Sequence, residues 1–255
     1  YEIPLRFVGS EMCIRDRLLG NNLTSSLVIL FLFPLTVFIF INLAFRKIPS
    51  IGLYDISFDI WIYPSMIFLV TGLAILPSIF RDLFDLRVHN KVLSYLSLTP
   101  YSKKYMIFSF SIVAVVESLS FGLFSAILFS AIIPYPFGII QTFGFIFYFC
   151  IYTFLLANIF ITVSIISDKL STLFISLFGF IFFIFFGSSL LISLDFYPPT
   201  INSILSFLPL VMCIKSMQSY LFSGFIDWAF TIIPVLSSFL LLFINSILIK
   251  NKLKQ

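Results

Sequence analysis

Charged residues are scarce in this sequence: only 10% of its 255 residues are Asp, Glu, Lys or Arg, whereas 60% are hydrophobic. A water-soluble chain of this length leaves too much of its surface exposed to hide so many apolar side chains. The chain has six long apolar runs separated by short polar breaks, and its mean hydropathy is +1.14. These features predict a protein whose solvent is the lipid bilayer.

The usual residues of catalysis are also missing. The sequence has one histidine and no G-x-x-x-x-G-K-[ST] loop, so it offers neither a histidine-based catalytic pair nor a phosphate cradle. No two acidic residues share an apolar run, which argues against paired-carboxylate chemistry. Beyond residue 17 only Cys150 and Cys213 remain, and they suggest no disulfide framework or metal cluster. We therefore expect no catalytic residue, cofactor or metal. The net charge of +4 is interpreted as a sign of membrane topology and not of nucleic-acid binding.

The first 17 residues differ from the rest of the sequence. They hold six charged residues and carry no helical apolar stripe. Back-translated, Glu11 to Arg17 can be read as GAG ATG TGT ATA AGA GAC AG, which resembles the adapter of transposase-based sequencing libraries. We expect residues 1–17 to be a non-native, translated adapter, with a genuine short cytoplasmic arm as the alternative. Residues 18–255 are taken as the transmembrane domain.

A helix needs about 20 apolar residues to cross the hydrocarbon core. Six stretches meet this need, over residues 24–45, 60–80, 106–133, 140–166, 171–193 and 228–249. In such an arrangement nine Lys and Arg residues fall on one side and three on the other. By the positive-inside rule, the loop 81–104 and both termini are cytoplasmic. The predicted fold is an all-α polytopic membrane protein with six transmembrane helices and both ends inside.

The segment between spans five and six, residues 195–227, is unusual for an external loop. Pro198 and Pro199 are expected to stop a helix that continues from span five. Apolar residues then recur at helical spacing, at Ile201, Ile204, Leu205, Leu208, Val211 and Met212. Pro209 interrupts them. We expect a short, broken helix that re-enters the outer leaflet, with a helix lying on the membrane surface as the alternative.

The loop 81–104 is the most charged part of the chain. An apolar stripe at helical spacing is formed by Phe84, Val88, Val92 and Tyr95. A polar line beside it is formed by Arg87, Asn90, Lys91 and Ser94. A helix of this kind lies along the inner face of the membrane and presents its charged side to a soluble partner. The alternative is a solvated loop whose charges only set the topology.

Span three carries a ridge of small residues at every fourth position, namely Ala114, Ser118, Gly122, Ala126 and Ser130. Such a ridge lets two helix backbones approach closely in lipid. Glu117 lies beside the ridge, where a carboxylate costs a few kcal/mol and needs a partner or water. It either lines a polar pathway or is a protonated structural carboxyl. Gly179 and Gly187 suggest another close contact in span five.

Two segments and the overall layout resemble the permease subunits of ABC-2 type exporters, a branch of the ATP-binding-cassette transporters. The family's cytoplasmic loop after span two resembles FRDLFDLRVHNKVLSYLSLTPYSKKYMI. Its proline-bounded external re-entrant helices resemble YPPTINSILSFLPLVMCIKSMQSYLFSG. The six-span layout is also the family's. The sequence departs from the pattern where Lys215 or nothing replaces the usual arginine of the external segment, and where the family's amphipathic helix before span one is absent or replaced by residues 1–17.

The resemblance implies a homo- or heterodimer of permeases in the cell membrane, carried on two separate ATPase subunits, so that the chain itself is not an enzyme. The ATPases would grip a coupling helix through Arg81, Asp82, Phe84, Asp85, Arg87, Val88, Lys91 and Tyr95. Glu117 is the pathway candidate. An external gate would include Pro198, Pro199, Pro209 and Lys215.

Family substrates range over polysaccharides, lipid-linked glycans, drugs, peptides and haem, and the sequence does not choose among them. Three other functions stay open at this point. A haem-exporter-type ABC permease shares the layout, although its external segment is expected to be shorter. A non-energised six-span scaffold or assembly protein would need no ATPase dock. A membrane enzyme lacks catalytic residues.

Overall fold

A computed structural model describes residues 23–45, 58–88, 103–133 and 137–252, and in these ranges it is helical with no strand. The chain divides into two compact units, Tyr1–Lys47 and Ile48–Gln255. The first unit contains helix α1, Leu23–Phe45, which includes Pro34. The Thr36 hydroxyl donates to the Phe33 carbonyl one turn earlier. An apolar helix tolerates such a proline in lipid when side-chain hydroxyls and neighbouring groups satisfy the freed backbone.

The second unit contains seven helices in the described ranges. They are α2 (Phe58–Ile79), α3 (Lys103–Ile132), α4 (Ile139–Ile166), α5 (Leu170–Phe182), α6 (Pro199–Ser206), α7 (Pro209–Ser223) and α8 (Trp228–Lys252). Helix α2 continues through a π-helical segment, Phe80–Asp85, into a last turn, Leu86–Val88. Helix α5 likewise ends in a π-helical segment, Phe183–Gly187, and a 3₁₀ turn follows at Leu194–Phe196.

Five of these helices are long and apolar enough to cross a membrane. They are Ile60–Ile79, Lys104–Ile132, Ile139–Ile166, Leu170–Gly187 and Trp228–Lys252. The pair α6 and α7 is bent by 93° and would add a sixth span if it were counted as one crossing. In α1 the side chains are described only over Phe31–Asn42, a stretch shorter than a span. The chain is therefore a multi-pass membrane protein, as its composition predicts.

Helix α4 is the centre of the second unit, because α2, α3, α5, α7 and α8 all pack against it. Helices α2 and α4 are mostly buried, whereas α3, α5 and α8 expose most of their surface. The exposed side chains are largely apolar, as at Ile175, Leu236 and Phe239. Large apolar surfaces of this kind are stable in contact with lipid and unstable in water.

The predicted end of span five is wrong. The helix stops at Gly187 instead of residue 193, and Ser189 takes a left-handed conformation with φ of 68°. The turn is held by a tertiary contact, since the Gln218 side-chain amide donates to the Ser189 carbonyl at 2.9 Å. Pro198 and Pro199 consequently do not terminate span five. Pro199 instead opens α6, where its missing N–H costs nothing in the first turn.

The suggested close contact at Gly179 is also wrong within the described residues, because a Cβ placed there would meet nothing within 4 Å. The atoms nearest to a Cβ on Gly187 belong to the Phe183 ring of its own helix, at 2.8 Å. Other predictions concern residues outside the described ranges. Among these are residues 1–17, the loop 46–57, and the residues Asn90, Lys91, Val92, Ser94 and Tyr95.

Candidate functional site

The C-terminal end of α4 is capped by an arginine from another helix. Arg87, in the last turn of α2, donates from Nη1 to the Ile165 carbonyl at 2.7 Å and from Nη2 to the Ser164 carbonyl at 3.0 Å. Nη2 also donates to the Ser167 carbonyl. The last four carbonyls of a helix lack intrahelical partners and carry its negative dipole end. A guanidinium fork satisfies several of them at once, and a lysine could not match this geometry.

The same guanidinium reaches the short turn between α4 and α5. Arg87 Nη1 lies 3.2 Å from Asp168 Oδ1, and Lys252 Nζ in the last turn of α8 lies 2.6 Å from Asp168 Oδ2. The turn itself is predicted correctly from the sequence, since α4 ends at Ile166 and α5 begins at Leu170. Asp168 thus joins the ends of three helical segments. We refer to Arg87, Asp168 and Lys252 as the Asp168 junction.

Two groups of the Asp168 junction, Asp168 and Arg87, have shifted pKa values. The hydrogen bond from Lys252 holds the pKa of Asp168 below its usual value, and the charge of Arg87 acts in the same direction. Burial lowers the pKa of Arg87, while the charge of Asp168 opposes that change. An arginine nevertheless stays protonated in proteins. Asp168 and Arg87 therefore form an ion pair at neutral pH.

Only some of the eight predicted coupling residues can be placed. Phe84 is fully buried, its ring stacks on Phe80, and the Phe80 ring stacks in turn on Phe174 of α5. The Arg87 side chain is 10% exposed, and Val88 is partly buried. The side chains of Arg81, Asp82 and Asp85, and the residues Lys91 and Tyr95, lie outside what the structure describes. Contact with an ATPase stays a prediction, and Arg87 and Phe84 also serve contacts within the chain.

The broken pair α6 and α7 starts and finishes at one end of the bundle. The Tyr197 hydroxyl, just before α6, donates to the Phe186 carbonyl near the end of α5 at 2.8 Å. At the far end of α7, the Gln141 amide in the first turn of α4 donates to the Leu221 carbonyl at 3.2 Å. Helices α4 and α5 are joined by the Asp168 turn at their opposite ends. The start of α4 and the end of α5 therefore belong to the same end of the bundle, away from the Asp168 junction.

Helix α7 runs inside the protein, between α4 and α8. Nine of its 15 residues are buried, and Cys213 Sγ donates to the Tyr148 carbonyl at 3.8 Å. Tyr148 lies roughly 14 Å along α4 from its start, at 1.5 Å per residue. Helix α6 has no buried residue and exposes Ile201, Ile204 and Phe207. The two halves therefore differ, because one is a core element and the other an apolar surface helix.

Three buried hydroxyl groups fix α7 to its neighbours. Ser216 Oγ of α7 donates to Tyr148 Oη of α4 at 2.9 Å and lies 2.8 Å from Thr231 Oγ1 of α8. Tyr148 Oη is 3.0 Å from Thr231 Oγ1, which donates to the Asp227 carbonyl at 2.8 Å. Each hydroxyl has one acceptor when Ser216 donates to Tyr148, Tyr148 donates to Thr231, and Thr231 donates to the Asp227 carbonyl. We call Tyr148, Ser216 and Thr231 the hydroxyl triangle.

The four predicted gate residues lie in or next to the broken pair α6 and α7. Pro198 is exposed before α6, Pro199 is its first residue, and Pro209 is the first residue of α7 after the 93° bend. A proline fits each of these positions because the first-turn N–H groups have no intrahelical partner. Lys215 is partly buried on α7. The gating role of these four residues stays a prediction.

The ridge on α3 faces the core over part of its length. Ala114, Ser118 and Gly122 are buried, and the Ala126 carbonyl accepts a hydrogen bond from Tyr63 of α2 at 3.1 Å. A Cβ on Gly122 would come within 2.2 Å of Phe149 Cζ and 2.5 Å of Thr71 Oγ1. Ser130 is exposed. Glu117 is partly buried beside the ridge, and its pathway role stays a prediction.

A second polar cluster was not predicted from the sequence, because the asparagines inside the spans were not considered. Asn245 Nδ2 of α8 donates to the Asn158 carbonyl of α4 at 2.9 Å, and Thr162 Oγ1 donates to Asn245 Oδ1 at 2.8 Å. Ser111 Oγ of α3 donates to Asn158 Oδ1 at 3.3 Å. The sequence does contain a signal for this cluster, namely one asparagine in span four and another in span six. Such residues form hydrogen bonds between helices in lipid.

No protein-family model matches this chain, and no curated protein resembles it closely enough to count as a relative. The described residues contain no group of three His, Cys, Asp or Glu side chains able to hold a metal ion. The arrangement is therefore interpreted from its own geometry. It combines the Asp168 junction at one end of the bundle with the broken pair α6 and α7 at the other, where α7 is hydrogen-bonded to α4 and α8.

Proposed function

We propose that this chain is the transmembrane permease subunit of an ATP-driven exporter of the ABC-2 type, which forms the translocation pathway with a second permease. Two separate ATPase subunits supply the energy and grip the segment that follows α2. The proposed topology has six spans, with α1 as the first and both ends in the cytoplasm. The membrane is the cytoplasmic membrane of the cell. The broken pair α6 and α7 acts as the external gate.

The observation that carries the proposal is the path of the broken helix. The chain enters it beside the end of α5 and leaves it beside the start of α4, so both ends lie on one side of the bundle. A helix pair with this path re-enters the membrane without crossing it. Re-entrant backbone is stable in lipid only where it is buried in protein or lines a cavity. The burial of α7 between α4 and α8 meets this condition.

The charge distribution supports the same orientation. The Asp168 junction lies at the opposite end of α4 from the broken helix, and Lys169, Lys250 and Lys252 gather at that end. An excess of Lys and Arg in short loops marks the cytoplasmic side. The segment after α2 begins at this end, directly beside Arg87, where a cytoplasmic ATPase would reach it.

Topology is tested in intact cells by labelling one introduced cysteine at a time, after Cys13 and the exposed Cys150 have been replaced by Ala and the buried Cys213 has been kept. Asn202→Cys in α6 should react with a membrane-impermeant maleimide from outside, and Lys91→Cys should react only after the membrane is permeabilised. Lys250→Cys at the end of α8 is the matched cytoplasmic control. Labelling of Lys91→Cys from outside would overturn the orientation and with it the ATPase dock.

Coupling is tested by co-purification from the native membrane, with ATP hydrolysis and identification of an ATPase subunit as readouts. The variant Asp85→Lys/Lys91→Glu keeps Arg87, which α4 needs, and should release the ATPase from a folded permease. Lys250→Glu, on the same side, should retain it. Unchanged ATPase recovery with the double variant would remove the docking assignment.

A further inference from the structure

We propose that Asp168 is a positioning residue through which movement of the segment after α2 reaches the ends of α4, α5 and α8. The proposal rests on the proposed function for the source of that movement. It concerns a residue outside the predicted coupling segment, in a turn of three residues between two membrane helices. Its basis is the pair of bonds that Asp168 makes, one to α2 and one to α8.

The first bond belongs to a rigid assembly. Arg87 contacts three backbone carbonyls in the last turn of α4 as well as the Asp168 carboxylate, and its side chain is only 10% exposed. Moving the last turn of α2 would therefore pull the end of α4 with it or break several hydrogen bonds to a charged group together. Charge-assisted bonds of this kind, shielded from water, are stronger than ordinary hydrogen bonds.

The second bond links Asp168 to Lys252 in the last turn of α8. Asp168 is 64% exposed and Lys252 is 31% exposed, so water competes for both charged groups. Ion pairs in such surroundings contribute little stability and exchange readily. Asp168 thus bonds Arg87 of α2 through Oδ1 at 3.2 Å and Lys252 of α8 through Oδ2 at 2.6 Å. A displacement of the last turn of α2 would therefore reach the end of α8 through this one carboxylate.

Hydrogen exchange of the full chain in lipid nanodiscs tests this arrangement without any ATPase. In Asp168→Asn, amide exchange should rise roughly fivefold, as expected when a weak ion pair is lost, in three peptides together: 84–88, 165–170 and 248–252. Exchange in the middle of α4, around residues 150–158, should not change. Lys169→Gln and Lys250→Gln remove neighbouring exposed charges and should leave all three peptides as in the wild type.

The conservative variant and a double variant separate positioning from general stability. Asp168→Glu keeps the charge and should restore slow exchange in the three peptides. Lys252→Gln should loosen only the 248–252 peptide, and Lys252→Gln/Asp168→Asn should be no faster there than either single variant, because both remove the same bond.

Two results would overturn the proposal. One is faster exchange in 165–170 alone, which would mean that the junction does not link the three helix ends. The other is faster exchange throughout α4 with a lowered melting temperature, which would reflect a general structural role. Failure of the proposed function would give a different result. The three peptides would still exchange faster in Asp168→Asn, but no ATPase would co-purify, or its recovery would be unchanged in the Asp85→Lys/Lys91→Glu variant.

Discussion

Gly144 of α4 lies directly against the ring of Tyr220 in α7, and a Cβ on Gly144 would come within 2.0 Å of Tyr220 Cε1. The Tyr220 hydroxyl is held in place by its bond to the Ile140 carbonyl at 2.9 Å. The close approach of α7 to α4 therefore depends on the absence of a side chain at one position. No α-carbon substituent larger than hydrogen fits there without moving the ring.

Gly144→Ala should destabilise the protein by about 1–3 kcal/mol, the usual cost of overpacking, because Tyr220 must leave its bond to Ile140. Thermal unfolding in detergent micelles measures the loss. Gly179→Ala is the matched control, since its Cβ meets nothing within 4 Å in the described residues and helix propensity favours alanine. In a Tyr220→Ala background, Gly144→Ala should cost much less. Equal losses in both backgrounds would contradict the assigned clash.

The hydroxyl triangle should behave as one unit. Thr231→Val keeps the shape of the side chain but removes the acceptor for Tyr148 and the donor to Asp227. We expect a loss of about 0.6–1.7 kcal/mol, the range of interhelical hydrogen bonds in lipid. Ser237→Ala, whose hydroxyl donates to the Pro234 carbonyl of its own helix, is the control on α8. A double-mutant cycle with Ser216→Ala should be non-additive, and additive losses would show that the hydroxyls act separately.

The cluster around Asn158 and Asn245 should contribute to the packing of α8. Asn245→Leu removes the donor to the Asn158 carbonyl and the acceptor for Thr162, and should cost about 1–3 kcal/mol. The melting temperature in micelles reports this change. Asn251→Leu, an exposed position one turn before the end of the chain, should cost almost nothing. A similar loss at both positions would argue against a specific role for Asn245.

Acidification should weaken the Asp168 junction. The pKa of Asp168 is lowered in the folded protein, so its contribution is fully present above the ordinary carboxylate value and is lost as the pH falls through the lowered value. The groups that face it are Arg87 and Lys252, with Lys169 next to it in the chain. The contribution is below about 1 kcal/mol because Asp168 is largely exposed.

The difference in melting temperature between the wild type and Asp168→Asn should therefore be measurable at pH 7 and should vanish towards pH 3. High salt should reduce it at pH 7, since it screens exposed ion pairs. A difference that stays constant over this pH range would mean that the asparagine acts through packing instead of charge.

The spans were predictable because lipid imposes one requirement on every crossing segment. Backbone groups must bond internally and side chains must be apolar, so hydropathy alone places α2, α3, α4 and α8 to within a few residues. The end of α5 escaped this reasoning. Residues up to Ser193 are apolar enough to continue the helix, but the bond between Gln218 and Ser189 favours a turn. That bond joins residues 29 positions apart and leaves no local pattern.

The candidate site was predictable only in part, for a related reason. The sequence located the Asp168 turn and the break at Pro209, because charge and proline act locally. It placed Arg87 in a polar line, with Asn90, Lys91 and Ser94, that faces a partner. The side chain also enters the end of α4, about 80 residues further along the chain, where unpaired carbonyls attract it. Periodicity gives the face of a helix and carries no information about which remote helix end lies beside it.

The sequence by itself determined that this chain belongs in a membrane, where most of its helices run, and where they break, since these depend on local hydrophobicity, proline and charge. Only the tertiary structure decided that α7 is buried beside α4, that Tyr148, Ser216 and Thr231 share one set of hydrogen bonds, and that Asp168 joins three helix ends. In lipid, apolar faces have little preference among neighbours. The choice of partner falls to close backbone contacts and a few polar bonds, which form only when the helices are assembled.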